Sequence, residues 1–268
     1  MNDLEKYFNQ NTGRVIHKWH HYFDIYDRHF SKYRNKDIVI LEIGTFQGGS
    51  LQMWKNYFGK RAKIYGIDIN PNCKEVEEEN IKILIGSQSD REFLRKVKLD
   101  IPPLDILIDD GGHTMLQQII TYEELFSHIK PDGVYLCEDL HTSYMTEFGG
   151  GLKRKGTFIE YSKNFIDYIN AAHYSTKELF NFDSENEHVS SLCYYDSILV
   201  IEKQPVKKIL SSTETGTIRI PYYWEKTQGF ELFVKRAKRF IRCRLNRILG
   251  LFRLPFKNGD FARSGFRK

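Results

Sequence analysis

Leu41-Glu42-Ile43-Gly44-Thr45-Phe46-Gln47-Gly48-Gly49-Ser50 is the stretch whose reading decides the fold. It joins the apolar run Ile38–Ile43, read as a strand, to a helical stretch at Ser50–Phe58. Glycines at such a junction let the backbone turn tightly and approach a ligand with no Cβ in the way. The spacing is not the G-x-G-x-x-G of a dinucleotide fold, because Gly44 is followed by Gly48 and Gly49 and an acid precedes the first glycine. Glu42 would repel a pyrophosphate, whereas a cofactor bearing an amine or a positive charge tolerates it. Taken alone, the stretch also fits a plain tight turn between strand and helix.

Working outward, apolar strands alternate with helical stretches. Lys63–Ile69, Ile81–Ile85, Leu104–Ile108 and Val134–Cys137 read as strands, the last after the turn Pro131-Asp132-Gly133. Helices are expected at about 90–97, at Met115–Ile129 and near 161–172, and two closing strands at Val189–Tyr195 and Ser197–Glu202. Alternation of this kind argues an α/β fold with a doubly wound, parallel sheet. The Ile/Leu/Val-rich runs lack a polar face, as strands buried on both sides do. Ahead of them, Trp19, Phe23, Tyr26 and Phe30 recur at helical spacing, which predicts an amphipathic helix capping the domain. The expected division is a cap at 1–36, a cofactor domain at 37–203, a connecting segment at 204–232 and a basic tail at 233–268.

The chain has 268 residues, 41% hydrophobic and 28% charged, an ordinary globular composition. Aromatics reach 14%, which suits either a sugar-handling protein or simply a core rich in Tyr and Phe. Cys73, Cys137, Cys193 and Cys243 are too scattered for a disulfide framework or a zinc site. Met1–Gln10 shows no basic-then-apolar leader, so a cytoplasmic location is expected. The net charge of +5 is unevenly placed: twelve Lys/Arg against Asp260 alone give residues 233–268 a charge of +11, leaving −6 on the rest.

Chemistry concentrates at strand ends. Asp68 closes Gly66-Ile67-Asp68, 26 residues beyond Glu42, where an acid can accept hydrogen bonds from both hydroxyls of an adenosyl ribose; a solvated strand-end Asp is the plainer alternative. Asp109-Asp110-Gly111-Gly112-His113 closes the next strand but one, and Glu138-Asp139 closes the strand after that. Ligands of open α/β sheets bind at these carboxyl ends. Adjacent strand residues face opposite sides, so Asp109 and Asp110 cannot serve one small site equally. The two glycines allow a bend that returns His113 toward a metal held by an acid. Carboxylates with water suit a hard ion such as Mg²⁺. Helix N-capping would explain one of these acids, with Asp110 ahead of the Met115 helix, but not the whole set.

These motifs together resemble the class I S-adenosylmethionine-dependent methyltransferases, and more narrowly the metal-dependent O-methyltransferases of macrolide sugars. The resemblance covers about residues 14–203. It rests on His17-Lys18-Trp19-x-x-Tyr22-Phe23, Glu42-Ile43-Gly44 through Gly48-Gly49-Ser50, Gly66-Ile67-Asp68, Gly86-Ser87-Gln88-Ser89-Asp90, Asp109 to His113, and Glu138-Asp139-Leu140-His141-Thr142-Ser143-Tyr144. It implies a seven-stranded Rossmann-like sheet, S-adenosylmethionine and Mg²⁺ as cofactors, Asp110 and Asp139 as metal carboxylates, and His113 as general base. It also implies a cofactor site around Glu42, Gly44, Gly48, Gly49, Ser50, Asp68, Ser87, Gln88 and Asp109, with Tyr144 toward the substrate. The family usually carries an acid where this chain has Ser87, which makes Gln88 the expected adenine contact. Glu138, beside a ligand, is expected to face the other way. The acceptor implied is a sugar or glycan, with a catechol-type small molecule or a silent cofactor-binding protein as the competing readings.

Three features stand outside that frame. Gly149-Gly150-Gly151 before Lys153-Arg154-Lys155 reads either as a mobile lid or as a plain loop. His17, His20 and His21 read as ordinary histidines of an aromatic helix rather than a metal site. In the tail, Val234, Ala237, Ile241, Leu245, Ile248 and Phe252 form an apolar stripe among seven Lys/Arg, a basic amphipathic helix suited to an anionic membrane at the inner face. Packing on the body or on a second subunit is the alternative, and the apolar stripe weighs against nucleic acid.

Overall fold

The computed structural model describes residues 1–170, 188–204 and 213–221, with Ala237 alone beyond them. The chain forms two compact units, Met1–Ile209 and Leu210–Lys268. Most of the second, including the basic stripe at 233–268, lies outside the described residues; within it Arg219 pairs with Glu214 at 2.7 Å.

In the first unit, α1 (Asp3–Gln10) and α2 (Tyr22–Phe30) lead into β1 (Val39–Ile43), α3 (Gly49–Phe58), β2 (Lys63–Asp68) and β3 (Ile81–Ile85). Then come α4 (Arg91–Asp100), β4 (Leu104–Asp109), α5 (Met115–Leu125) and β5 (Ile129–Cys137), and finally α6 (Phe158–Ser162), α7 (Phe165–Ile169), β6 (Val189–Tyr195) and β7 (Ile198–Lys203). The seven strands lie in the order β3-β2-β1-β4-β5-β7-β6. β1 to β5 are parallel, and β7 is antiparallel to both β5 and β6. Strand order reverses between β1 and β4, and a crevice for a ligand opens at that point. The expected doubly wound sheet is therefore present, with the two closing strands as a hairpin at one edge. The strand expected at Val134–Cys137 extends back through the Pro-Asp-Gly turn to Ile129, with a register shift between Leu104 and Ile106 of its partner.

Side-chain parity sorts the strands between two cores. Ile40, Ile106, Ile108, Val134 and Leu136 point to the face covered by α1, α2 and α3. Leu41, Ile43, Leu107, Tyr135 and Cys137 point to the face covered by α4 to α7. Residues 1–36 share the first of these cores with the sheet, so the expected cap is part of the same unit. Only part of its expected helix forms: Trp19 lies before the first turn of α2, whereas Phe23, Tyr26 and Phe30 are buried within it. Tyr26 and Phe30 of α2 meet Trp54 of α3 edge-on at 5.1 and 5.9 Å. Pairs of this kind are each worth about 0.5–1.5 kcal/mol beyond the area they bury. They clamp α2 onto α3 and so fix the segment just ahead of α2 over the carboxyl edge of the sheet.

Candidate active site

The ends of β1, β2, β4 and β5 surround a cavity of about 410 Å³, within the range of small-molecule sites. Gly44, Asp68, Ser87, Gln88, Asp110, His113 and Asp139 all line it, as do Lys18, Trp19 and Glu138. Glu42, Gly48, Gly49, Ser50, Asp109 and Tyr144 do not.

At one end Asp68 is held by two backbone N–H donors, Phe46 at 3.0 Å and Asn70 at 2.9 Å, which fix the carboxylate and leave acceptor capacity for hydroxyls. At the other end Asp110, His113 and Asp139 each offer a ligand atom within 4.8 Å of the others. His113 Nε2 lies 3.4 Å from Asp139 Oδ2 and 3.8 Å from Asp110 Oδ1, while its Nδ1 is buried with no partner. Tyr22 donates to Asp139 Oδ1 at 2.7 Å and orients it. Burial and the hydrogen bond to Asp139 push the Tyr22 phenol far up, so it stays a donor. His113 and Asp139 both hold left-handed backbone, φ 57° and 55°, as does Phe46 on the rim at φ 49°. Strain of this kind in non-glycine residues persists where surrounding contacts enforce it, and it gathers at functional sites. Here the contacts are visible: Thr142 Oγ1 donates to the His113 carbonyl, and Gln88 Oε1 accepts from Gly112 N–H.

Parity assembles the floor of the site. Glu42 in β1, and Asp110 and Glu138 just past the ends of β4 and β5, continue the even-numbered face that α2 covers. Lys18 enters from above, its side chain only 2% exposed, and donates to Asp110 Oδ2 at 2.5 Å, Glu138 at 2.9 and 3.1 Å, and Glu42 at 3.4 Å. Burial alone would lower the Lys18 pKa, but Asp110 and Glu138 outweigh it and hold it well above its ordinary value. Burial raises both Glu138 and Glu42, with Lys18 pulling against the rise. Glu138 therefore faces the site, contrary to the sequence expectation, because the chain leaves β5 extended and turns only at Asp139. Lys18 was not singled out from sequence as a site residue, although it stands in the quoted His17-Lys18-Trp19 motif.

Other expectations need correction. Glu42 is fully buried and spends its oxygens on Lys18 and on Ser50, which donates at 2.7 Å, so neither residue reaches the cavity. Gly48 and Gly49 serve chain packing rather than ligand approach: a Cβ at Gly48 would strike Val76, and one at Gly49 the carbonyls of Arg14 and Val15. Asp109 is odd-numbered and points into the opposite core, where Gln88 and Tyr135 donate to it and burial raises its pKa to about 7. Gln88 has its amide engaged by Asp109, Thr121 and Gly112, leaving Ser87 the freer side chain at that end of the cavity. Tyr144 is exposed on the turn Leu140–Tyr144, outside the cavity. Thr114, not Asp110, caps α5, in a reciprocal pair with Gln117. Gly150 and Gly151 donate backbone bonds to Met145 and Ser143, which closes the segment into a hydrogen-bonded turn.

The two carboxylates fit a hard divalent ion, with the His113 imidazole beside them; one oxygen of Asp110 is tied back to Lys18 while the other faces His113.

No family model matches the chain. It is 34% identical over 208 residues to the mycinamicin VI 2''-O-methyltransferase of Micromonospora griseorubida, covering 74% of this chain and 51% of that protein. It is likewise 34% identical over 209 residues to the demethylmacrocin O-methyltransferase of Streptomyces fradiae, covering 73% of this chain and 52% of that one. The crystal structure of the MycE methyltransferase of mycinamycin biosynthesis, in complex with Mg and SAH, superimposes with a TM-score of 0.70 at 32% identity, covering 76% of this chain and 55% of that one. The chain spans about half the length of these relatives. With that sheet order, that site and those relatives, the chain belongs to the class I S-adenosylmethionine-dependent methyltransferases, in the same family as these sugar O-methyltransferases.

Proposed function

We propose that this protein moves a methyl group from S-adenosylmethionine to a hydroxyl of a sugar, in a surface glycan or a glycosylated metabolite, with Mg²⁺ held by Asp110 and Asp139. The observation that carries this reading is the meeting of Asp110, His113 and Asp139 at one end of the cavity that Asp68 lines at the other. The names of the relatives, sugar O-methyltransferases, support the acceptor class. Asp68 takes the ribose hydroxyls, with Ser87 beyond it. His113 accepts the acceptor's proton, for which an imidazole suits neutral pH. Tyr22 keeps Asp139 aimed, and Lys18 keeps Asp110 aimed. When bound, the cofactors supply a sulfonium methyl donor and an ion that eases charge development on a hydroxyl. The protein's further work is to align donor and acceptor for in-line displacement.

Calorimetry with S-adenosylmethionine and Mg²⁺, followed by turnover on a panel of glycosides, tests the assignment. Cofactor binding, glycoside methylation and its loss in His113→Ala and Asp110→Asn are expected. No cofactor binding in the wild type would sink it, and full activity in both variants would remove the mechanism. Methylation of free diphenols alone would move the acceptor to the catechol class.

No helix among the described residues is long and apolar enough to cross a membrane. We assign the basic stripe at 233–268 to an anionic membrane surface on the cytoplasmic side, on the strength of its sequence pattern. Deleting 233–268 should release the protein from phosphatidylglycerol vesicles in a flotation assay; unchanged flotation would reject the assignment.

A further inference from the structure

Trp19 occupies a position that packing does not explain. Trp54, on α3, is wholly buried, yet Trp19 leaves 52% of its surface in solvent at the mouth of the cavity. Its place is fixed rather than loose. The His141 ring meets it edge-on at 6.2 Å, and His21 lies 6.1 Å away. Both histidines are anchored in turn: His21 Nε2 lies 3.2 Å from the Asp196 carbonyl, and His141 Nδ1 lies 3.0 Å from Ser197 Oγ. His141 also lies 4.0 Å from Asp139 Oδ1, so the indole stands beside the end of the cavity where Asp110, His113 and Asp139 meet. The indole N–H has no acceptor among the described residues.

We infer that Trp19 is the acceptor platform: its exposed ring takes the C–H face of a pyranose, so that a vicinal pair of hydroxyls meets Asp110, His113 and Asp139. The chemistry follows from the ring. An aromatic face carries partial negative charge and attracts the polarised C–H groups of a sugar's apolar side, while the sugar's hydroxyls stay at its edge. The free N–H supplies one further donor, to a ring or glycosidic oxygen. Lys18, the next residue down, is locked to Asp110, so the platform and the metal carboxylate are held in register by one short stretch of chain. A flat diphenol would stack on the same ring, but it lacks the C–H face and the out-of-plane oxygens that the N–H would meet. The inference rests on the methyl-transfer reading for its acceptor, and the test below separates the two.

The wild-type protein and Trp19→Phe are titrated with methyl α-rhamnoside while tryptophan emission is followed, without cofactor. Steady-state kinetics with the same glycoside then compare wild type, Trp19→Ala and Trp19→Phe, and calorimetry gives the S-adenosylmethionine affinity of each. The emission change on glycoside addition should vanish in Trp19→Phe. The acceptor KM should rise about tenfold or more in Trp19→Ala, and less in Trp19→Phe, with cofactor affinity unchanged and kcat at saturation nearly so. An unchanged KM in Trp19→Ala would overturn the platform while leaving methyl transfer intact. So would an effect confined to oligomeric state, or an equal dependence on Trp19 for methylation of catechol. A wild type that binds no cofactor defeats the methyl-transfer reading instead; the emission titration then decides the platform alone, and an absence of any emission change overturns it.

Discussion

Replacing Lys18 by Met removes the cation on which three carboxylates converge and leaves the hydrocarbon stem in place. Glu138 and Glu42 are 1% and 0% exposed and cannot recruit water, whereas Asp110 is 20% exposed and can. Removing one member of a buried ion cluster costs about 3–5 kcal/mol, because the charges left behind are uncompensated. The two glutamates can escape by taking protons, since burial already raises both and Lys18 opposes the rise. A carboxyl whose folded pKa stands above its unfolded value contributes stability fully below the unfolded value and loses it as pH climbs through the folded one. The unfolded value here is 4.5, and losing Lys18 moves the folded values further up. Each unit of that extra rise costs roughly 1.4 kcal/mol once pH exceeds it. Lys18 itself, with its own pKa raised above 10.5, is charged throughout this range and adds no slope. Lys18→Met should therefore be destabilised by about 3–5 kcal/mol near pH 8, and by less as pH falls toward 5, because the raised glutamates take up protons on the way down. Urea unfolding of both proteins at pH 5, 6.5 and 8 measures this. A loss that is the same at every pH, or that grows toward low pH, would refute the argument, since only ionised glutamates need the cation.

Three further predictions follow from neighbouring contacts. Tyr22→Phe removes a charge-assisted hydrogen bond to Asp139 and should weaken Mg²⁺ binding about tenfold by calorimetry; an unchanged affinity would mean that Asp139 needs no such support. Asp109→Asn should leave S-adenosylmethionine affinity intact, because the side chain faces the core. It should also flatten the decline in stability between pH 4 and 7, since the wild-type pKa is raised from 3.8 to about 7; a persisting slope in thermal unfolding would assign the titration elsewhere. Gly44→Ala places a Cβ 2.0 Å from the Asp110 carbonyl at φ +92°, so the turn carrying Asp110 must move. Cofactor and Mg²⁺ binding should fall together there, and loss of neither would contradict the tight junction.

Most of the sheet was legible because the strands are short apolar runs with turn residues between them, and the end of each strand marks the ligand edge. Asp68, Asp110, His113 and Asp139 are legible as cavity-lining residues because each lies at or just past the carboxyl end of a strand, where open α/β sheets place their ligands. Spacing along the chain misleads where the decisive contact comes from a distant segment. Gly48 and Gly49 resemble a cradle in sequence, yet residues 14, 15 and 76 fill the space beside them, and no local pattern announces contacts across such distances. Gln88 resembles a ligand contact, but its amide braces the Gly111-Gly112 bend and the buried Asp109.

Lys18 is the instructive omission, since what explains it is strand register, which only the fold displays. The pairs Ile43↔Asp109 and Asp109↔Cys137 put the ends of β1, β4 and β5 level. Parity then sends Glu42, Asp110 and Glu138 to one face, because each is an even-numbered residue whose apolar neighbours two positions back, Ile40, Ile108 and Leu136, belong to a single core. Three carboxylates in one buried corner would repel one another or take protons unless a cation joined them. Among the polar residues ahead of β1, Lys18 stands between the cavity-lining His17 and Trp19, in the stretch that the aromatic clamp of α2 on α3 lays over that corner. The N-terminal segment thus supplies more than a cover. It brings the charge that lets Asp110 present one oxygen outward, and next to that charge it sets the ring proposed to receive the acceptor.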